Sequence, residues 1–363
     1  MRVVNIGFAG AGGIAKAHVY ALQALKFYYE EVPEIRLISV TSAREESRQD
    51  FARKYGFEGS ERSEDFFRNP AIDTVFILGP NNTHFDHFRQ AMAMPGVQRV
   101  YLEKPVCTTR EEEQAMAELA AGTEKSVQVG FQYLMTPSVR QAILLWKSGL
   151  LGKPLHFDLK YYHGDYLRSS YREKRLTRLT PAPDGGAMAD LGCHGISLLT
   201  AFLGKGLQLT GAIQSGGFDG VPAGSDLFSS IPLLEPGSGA VGHLSASRIS
   251  AGSGDLVELE IYAEKGTLRY SSAHPDYFDY YLEQEGKWIR QPVGSNYSGV
   301  TSFPSGHVPA GWLRSMVHAH YLFLGGKDIQ VFIPTLEHGL EVQRLVRETA
   351  HHLEQFRKKY HHA

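Results

Sequence analysis

The sequence predicts an α/β protein with an N-terminal doubly wound, nucleotide-binding domain and a second domain built on a largely antiparallel sheet. Three observations carry this prediction. Short β-rich runs alternate with helical patterns through the first third of the chain. A glycine-rich turn follows the first strand pattern and opens the first helix. After Gly130 the rhythm changes to closely spaced strands with few helices between them.

The first domain contains apolar runs of strand length separated by amphipathic helical patterns, which favours parallel strands joined by helical crossovers. We predict strands at 3–9, 35–41, 73–78, 97–102 and 126–130, and helices at 13–27, 45–55, 83–94 and 110–121.

The second domain is predicted to begin with a helix at 137–148 and a strand at 155–162, followed by a polar loop at 163–184. A helix starts near Asp190, several strands occupy 207–289, and helices return at 309–324 and 335–359. We place the domains at 1–128 and 129–363, with the last helix free to pack back on the first domain.

Composition excludes several classes of protein. The formal net charge is only −2, so no general attraction to nucleic acid or to an anionic membrane is expected. Two cysteines provide no disulfide framework, and no apolar run is long enough to span a bilayer. The N-terminus has no signal-peptide pattern. We expect a cytoplasmic protein with a small-molecule substrate.

The glycine-rich turn reads Gly10-Ala11-Gly12-Gly13-Ile14-Ala15, a G-x-G-x-x-A pattern between a strand and a helix. Gly10 allows the tight turn, Gly12 lets a pyrophosphate approach the backbone, and Ala15 lets the helix pack closely on the strand. The free N–H groups at the helix N-terminus face the phosphates. This pattern predicts a dinucleotide site that includes Gly13 and Ile14.

The end of the second strand bears on the choice of cofactor. NAD-binding domains usually carry an acidic residue there, which binds the ribose hydroxyls. Here the residues are Thr41-Ser42-Ala43-Arg44, without an acid. Ser42 can donate to a 2′-phosphate and Arg44 can pair with its charge. We expect NADP(H), with NAD(H) as the alternative.

Two further segments carry titratable groups where chemistry is expected. Glu103-Lys104-Pro105 ends a strand, and the carboxyl ends of parallel strands border the ligand crevice. Asp190 and His194 are four residues apart on one predicted helical face, which suits acid–base work on an alcohol proton. Cys193 next to His194 gives no ligand set with metal-site spacing, so we expect no metal.

Together these motifs resemble the Gfo/Idh/MocA family of oxidoreductases. The resemblance runs in order from Val3 to about Leu203. It rests on the G-x-G-x-x-A turn with His18, the segment 79–84 (similar to T-P-N-x-x-H), Glu103-Lys104-Pro105, and Asp190 with His194.

The resemblance implies a Rossmann domain followed by an α/β domain whose large open sheet is often used for oligomerisation. A homodimer or homotetramer is therefore expected. It also implies that Lys104, Asp190 and His194 are catalytic. His194 would take the hydroxyl proton while Lys104 polarises the reacting oxygen. Further residues implied beside the cofactor are Pro80, Asn81, His84 and Glu103.

The expected substrate pocket departs from the family pattern at 132–134, where many relatives carry Asn or Arg and this chain has Gln, Tyr and Leu. Ring faces with a few polar groups suit a sugar. Candidate lining residues are Gln132, Tyr133, Tyr161, Tyr162, His163, Asp165, Tyr166, His307 and Trp312.

The sequence therefore predicts an oxidoreductase that transfers a hydride between NAD(P) and a secondary alcohol carbon of a sugar or cyclitol. Two alternatives stay open. A nicotinamide-dependent glycosidase would use the same residues for a transient redox step. A non-catalytic NAD(P)-binding regulator would use only the cofactor site.

Overall fold

The structure, a computed structural model, describes residues 2–175, 178–179, 185–215, 217–294, 297, 300–301, 303, 311–328 and 332–360. Contacts divide the chain into two compact units. The first comprises Met1–Thr136 and Ser295–Leu340, and the second comprises Pro137–Gly294 and Glu341–Ala363. The domain boundary placed after residue 128 from the sequence stays a prediction.

A six-stranded, all-parallel sheet forms the centre of the first unit, with the strand order β3-β2-β1-β4-β5-β6. The order reverses between β1 and β4, which makes this edge of the sheet the topological switch point. The predicted doubly wound fold is confirmed. The strands are β1 Val3–Ala9, β2 Glu34–Thr41, β3 Gly59–Glu61, β4 Thr74–Ile77, β5 Arg99–Leu102 and β6 Ser126–Val129.

Helices cover this sheet and bury aromatic side chains against it. They are α1 Gly13–Tyr28, α2 Glu45–Tyr55, α3 Ser63–Phe66, α4 His84–Ala93 and α5 Arg110–Ala121. The N-terminus of α5 is fixed by a capping box in which Thr109 and Glu112 satisfy each other's backbone N–H groups. The later helix α9, Trp312–Phe323, places Met316 and Val317 in the same core as Leu22 of α1.

Among the residues that the structure describes, the second unit is built on a nine-stranded sheet in which β7 and β11 are the one parallel pair. The strand order is β15-β14-β13-β12-β7-β11-β10-β8, with β9 beside β10. The large, mostly antiparallel sheet is therefore confirmed. Its strands are β7 Pro154–Tyr162, β8 Gln208–Leu209, β9 Ile213–Gln214, β10 Phe228–Glu235, β11 Ala240–Ser247, β12 Leu256–Ala263, β13 Gly266–Ser271, β14 Tyr277–Leu282 and β15 Lys287–Pro292.

The two faces of this sheet differ in burial. On β7, Phe157, Leu159 and Tyr161 are buried, whereas the alternate residues are exposed or half-buried. The buried face packs against α6 Pro137–Lys147 and α8 Cys193–Leu203. The remaining helices are α7 Ser169–Glu173 and α10 Leu336–Tyr360.

The structure departs from the sequence prediction in short elements. The sequence prediction does not include β3 and α3, and the segment predicted as a loop at 163–184 contains the short helix α7. The helix predicted to start near Asp190 starts earlier, as a wide π-helical turn at Met188–Gly192 that continues into α8. The predicted start of the helix at 309–324 lies outside the described residues, and α9 begins at Trp312.

Among the described helices, none is both long and apolar enough to cross a bilayer.

Candidate active site

The glycine-rich turn has the geometry that its motif requires. Gly10 has a φ of +137°, and a Cβ there would lie 2.5 Å from the backbone of Leu78. Only glycine fits this position without strain. At Gly12 and Gly13 an added Cβ would meet nothing within 4 Å. The open space at these two residues lies at the N-terminus of α1, where no side chain caps the free N–H groups.

These observations fit a pyrophosphate on the turn, since an uncapped helix N-terminus with open space before it is an anion site. Ala15 is fully buried, as its packing role requires, and Ile14 is half-buried beside it. Gly10, Gly12, Gly13, Ile14 and Ala15 thus lie together.

The loop after β2 contains the residues expected to select the cofactor. The Ser42 hydroxyl donates to the carbonyl of Arg44 at 3.3 Å, and Arg44 is exposed at the start of α2. The buried Arg48 donates to the carbonyl of Ser42 at 3.4 Å. Residues 42–44 carry no carboxylate.

His84 joins two loops at the carboxyl edge of the parallel sheet. Its Nδ1 lies 2.7 Å from the carbonyl oxygen of Pro105, and its Nε2 lies 3.0 Å from that of Gly79. Both partners are acceptors, so the two contacts are simultaneous hydrogen bonds when the ring carries both protons. The predicted cofactor residues Pro80 and Asn81 lie in the short turn that His84 secures.

Glu103 and Lys104 follow β5 at the same edge. One oxygen of the buried Glu103 carboxylate lies 3.0 Å from His18 Nε2, and the other accepts the Lys104 N–H at 3.2 Å. A Cβ at Gly130 would lie 2.5 Å from Glu103 Oε1, so a larger residue there would displace the carboxylate. Gln132 and Tyr133 follow in a 3₁₀ turn of the same unit, with Tyr133 buried and Gln132 half-buried.

In the second unit, the π-helical turn carries Asp190. The Arg248 guanidinium donates to Asp190 Oδ2 at 2.9 Å, and Arg178 Nη1 lies 3.6 Å from the same oxygen. Arg248 also donates to the carbonyl of Arg178 and lies over the ring of Tyr166. The predicted catalytic carboxylate is therefore held by two cationic side chains.

The start of this helix is fixed by Asp226. Its backbone carbonyl accepts the Ala187 N–H, and its carboxylate accepts the Met188 N–H, each at 2.9 Å. Burial raises the pKa of the Asp226 carboxyl. At Gly186, with a φ of +91°, a Cβ would lie 2.6 Å from the Asp226 side chain.

His194 is buried one turn beyond Asp190, with its ring centroid 5.9 Å from that of Tyr161. The Tyr161 hydroxyl donates to Asp255 at 3.2 Å. A Cβ at Gly195 would lie 2.4 Å from Leu244, so α8 lies directly against the sheet. This close packing fixes the height of His194 above the strands.

The other predicted pocket residues separate into two groups. His163 Nδ1 accepts the Asp165 N–H, and the His163 ring lies 5.9 Å from that of Tyr166. Burial lowers the pKa of His163. The structure thus brings together His163, Asp165 and Tyr166 beside Arg248.

Tyr162 does not join this group. Its hydroxyl lies 2.8 Å from Ser245 Oγ, on the face of the sheet opposite to Tyr161, because side chains alternate along a strand. The Asp165 carboxylate is paired with Arg168 at the surface. Trp312 is exposed at the start of α9 in the first unit, and His307 lies outside the described residues.

Arg248 and Asp226 are the residues that sequence analysis missed. The available signal for Arg248 is a charged residue directly after the small residues that end β11. Among the described residues, no group of three or more His, Cys, Asp or Glu side chains could hold a metal ion.

A parallel sheet with a glycine turn at its switch point is the layout of a dinucleotide-binding domain, and in this chain a second unit with a large mixed sheet accompanies it. The chain belongs to the Gfo/Idh/MocA family. Residues 4–131 match its "Oxidoreductase family, NAD-binding Rossmann fold" domain, and residues 139–269 match the "GFO/IDH/MocA C-terminal domain".

Individual relatives share about a quarter of their residues with this chain. Levoglucosan dehydrogenase of Pseudarthrobacter phenanthrenivorans is 27% identical, over 76% of this chain and 75% of the relative. The scyllo-inositol 2-dehydrogenase (NAD(+)) of Bacillus subtilis is 28% identical, over 69% and 72%. A solved levoglucosan dehydrogenase in complex with NADH and levoglucosan is 21% identical and covers 98% of each chain, with a TM-score of 0.83. This last similarity shows that the two chains share a fold.

Proposed function

We propose that this oxidoreductase transfers a hydride between a nicotinamide cofactor and a secondary alcohol carbon of a sugar or cyclitol. The observation that carries the proposal is the helix start in which Asp190, fixed by Arg248, lies one turn before the buried His194. Such a pair suits proton transfer to and from a hydroxyl group. The named substrates of the relatives, levoglucosan and scyllo-inositol, support the substrate class.

In the proposed mechanism, His194 accepts the hydroxyl proton as the C–H bond breaks. Lys104 donates a hydrogen bond to the reacting oxygen, and its positive charge favours loss of the alcohol proton. Asp190 binds a neighbouring hydroxyl and orients the ring. The nicotinamide, when bound, supplies the hydride acceptor. In the reverse direction His194 returns the proton to the oxygen.

For the cofactor we propose a preference for NADP(H). Residues 42–44 provide a hydroxyl and an exposed guanidinium in place of a carboxylate, and a carboxylate would repel a 2′-phosphate. Arg44→Ala should weaken NADP binding by about 1–3 kcal/mol and leave NAD binding nearly unchanged. Arg53→Ala, an exposed arginine of the same helix, is the matched control.

Calorimetric titration of both cofactors tests this preference. Equal affinity of the parent protein for the two cofactors, or tighter binding of NAD, would show that the proposal is wrong.

The proposed activity is tested by an absorbance screen at the reduced-nicotinamide band, with polyols, free sugars, levoglucosan and scyllo-inositol against both cofactors. We expect net reduction with at least one compound, and its loss in His194→Ala. Cleavage of a glycoside without net reduction would favour the glycosidase alternative. Cofactor binding without turnover of any compound would favour the regulator.

A further inference from the structure

The buried side chains of His320, His18 and Glu103 form a continuous hydrogen-bonded row. The row ends at the backbone N–H of Lys104. His320 Nε2 on α9 lies 2.9 Å from His18 Nδ1 on α1. His18 Nε2 lies 3.0 Å from Glu103 Oε1 after β5. The two histidines are 0% exposed and Glu103 is 7% exposed. Because the partners are 302 and 85 residues apart in sequence, only the tertiary fold brings them together.

The direction of the hydrogen bonds follows from the partners at each end of the row. His320 Nδ1 is buried and has no hydrogen-bond partner among the described residues. Burial, with His18 beside it, lowers the pKa of His320 well below its usual value, so the ring is neutral. Its single N–H therefore belongs on Nε2, where His18 Nδ1 accepts it. His18 is then left with its own N–H on Nε2, which donates to Glu103.

At the other end of the row, the carboxylate is tied to the backbone of Lys104. Glu103 Oε2 accepts the Lys104 N–H at 3.2 Å, while Oε1 is held by His18. The backbone of Gly130 lies against the same carboxylate, so close that a Cβ would lie 2.5 Å from Oε1. The carboxylate is thus held from three sides.

We infer that His320 is a positioning residue for Lys104: it fixes the tautomer of His18, which holds the Glu103 carboxylate that binds the Lys104 amide. The inference rests on the proposed function, in which the Lys104 ammonium meets the reacting oxygen. His320 touches neither substrate nor cofactor in this scheme. Its effect passes through three hydrogen bonds, the last of which is accepted by Glu103 from the backbone N–H of Lys104.

A role in packing alone is the competing explanation, because the His320 ring also makes edge contacts with Phe76 and Tyr101, at 5.2 and 5.0 Å between ring centroids. Phe323, one turn along the same helix, makes edge contacts with the same two rings, at 5.5 and 5.3 Å. Phe323→Leu therefore perturbs the same aromatic neighbours without removing a hydrogen bond. It is the matched control.

The test compares His320→Leu, which removes the donor, with His320→Gln, whose amide keeps an N–H near the position of Nε2. With a verified substrate and saturating cofactor, we expect kcat to fall about 10- to 100-fold in H320L, the range for a misplaced catalytic group. KM should change little. The kcat of H320Q and of F323L should stay within about threefold of the parent.

A second readout does not depend on turnover. Labelling with ¹⁵N-lysine and ¹³C-glutamate restricts the NMR spectrum to the Glu–Lys pairs of the sequence, of which Glu103-Lys104 is one. We expect the Lys104 amide resonance to move in H320L and to stay near its parent position in H320Q and F323L. A Lys104 amide unmoved in a folded H320L, or equal losses of kcat in H320L and F323L, would overturn the inference. A moved amide in a protein that reduces no cofactor with any polyol would count against the proposed function alone.

Discussion

The Arg248 guanidinium donates to the Asp190 carboxylate at 2.9 Å, and the arginine side chain is 1% exposed whereas the carboxylate is 22% exposed. The pair joins the end of β11 to the π-helical turn that precedes α8. A buried guanidinium without its carboxylate would be strongly destabilising, so each partner depends on the other. Arg178 lies 3.6 Å from the same carboxylate but is 58% exposed.

Arg248→Met should lower the free energy of unfolding by about 2–4 kcal/mol, because it leaves a half-buried carboxylate without its main partner. Arg178→Ala should cost less than about 1 kcal/mol, as exposed ion pairs do. Urea unfolding of both variants measures the difference.

The Arg248→Met/Asp190→Asn double variant extends this prediction. The double variant should lower the free energy of unfolding by clearly less than the sum of the two single changes, because both changes act on one interaction. Additive costs would show that the two side chains do not stabilise each other.

His87 carries a prediction about pH. Burial, with His84 nearby, lowers the pKa of His87 to about 4, whereas an unfolded histidine titrates near 6.5. Between these values the unfolded chain binds more protons than the folded one, so stability falls as the pH is lowered through this window. The contribution of His87 is on the order of 2–3 kcal/mol.

His87→Leu is the comparison that isolates this effect. The loss of melting temperature between pH 6.5 and pH 4 should be smaller in the variant than in the parent, because the leucine binds no proton. Identical pH dependence of the two proteins would contradict the low pKa of His87.

The doubly wound half could be predicted from the sequence because its signals are local. A glycine turn between an apolar run and a helical pattern is readable without tertiary information. The short elements β3 and α3 could not be predicted from the sequence, because three or four residues are too few to show a hydrophobic period. The π-helical turn depends on the cap from Asp226, 38 residues after Met188. Arg248 was missed because its partner is 58 residues away.

Neighbouring residues of one strand can lie in different surroundings, and their positions in the sequence do not show which surroundings each has. Tyr161 and Tyr162 are neighbours in sequence, and the family pattern places both at the pocket. On β7 they lie on opposite faces, Tyr161 beside His194 and Tyr162 beside Ser245. The period of two along a strand separates them, and only the register of the sheet shows which one lies beside α8.

The open face of the nine-stranded sheet predicts self-association. Val241, His156 and Tyr262 form one row across β11, β7 and β12, and Val241 is 56% exposed. The residues of β7 on this face, His156, Asp158, Lys160 and Tyr162, are exposed or half-buried, and a second copy of the chain would cover them. We expect a homodimer or homotetramer joined through this face.

Val241→Glu should shift the assembly toward monomer in light scattering at micromolar concentration, because it buries a charge in the interface. Phe27→Glu, an exposed apolar residue of α1, should leave the assembly unchanged. A monomeric parent protein would rule the prediction out.

The last prediction concerns the chemistry itself and combines Lys104 with His194. If Lys104 polarises the reacting oxygen and His194 is the base, both act mainly in the transition state. Lys104→Ala and His194→Ala should each lower kcat by about 10²–10⁴-fold while cofactor affinity stays close to that of the parent. The double variant should lose much less than the product of the two, because the residues act as one unit. Asp190→Asn should still fold but with a lower free energy of unfolding, because it removes the charge that pairs with the buried Arg248, and it should change turnover or substrate affinity. Stopped-flow absorbance with a verified substrate, beside calorimetric titration of the cofactor, measures these effects. If the rate of either alanine variant stays within a few-fold of the parent, other residues carry out the proton transfer. If both variants lose cofactor binding, Lys104 and His194 have a structural role instead.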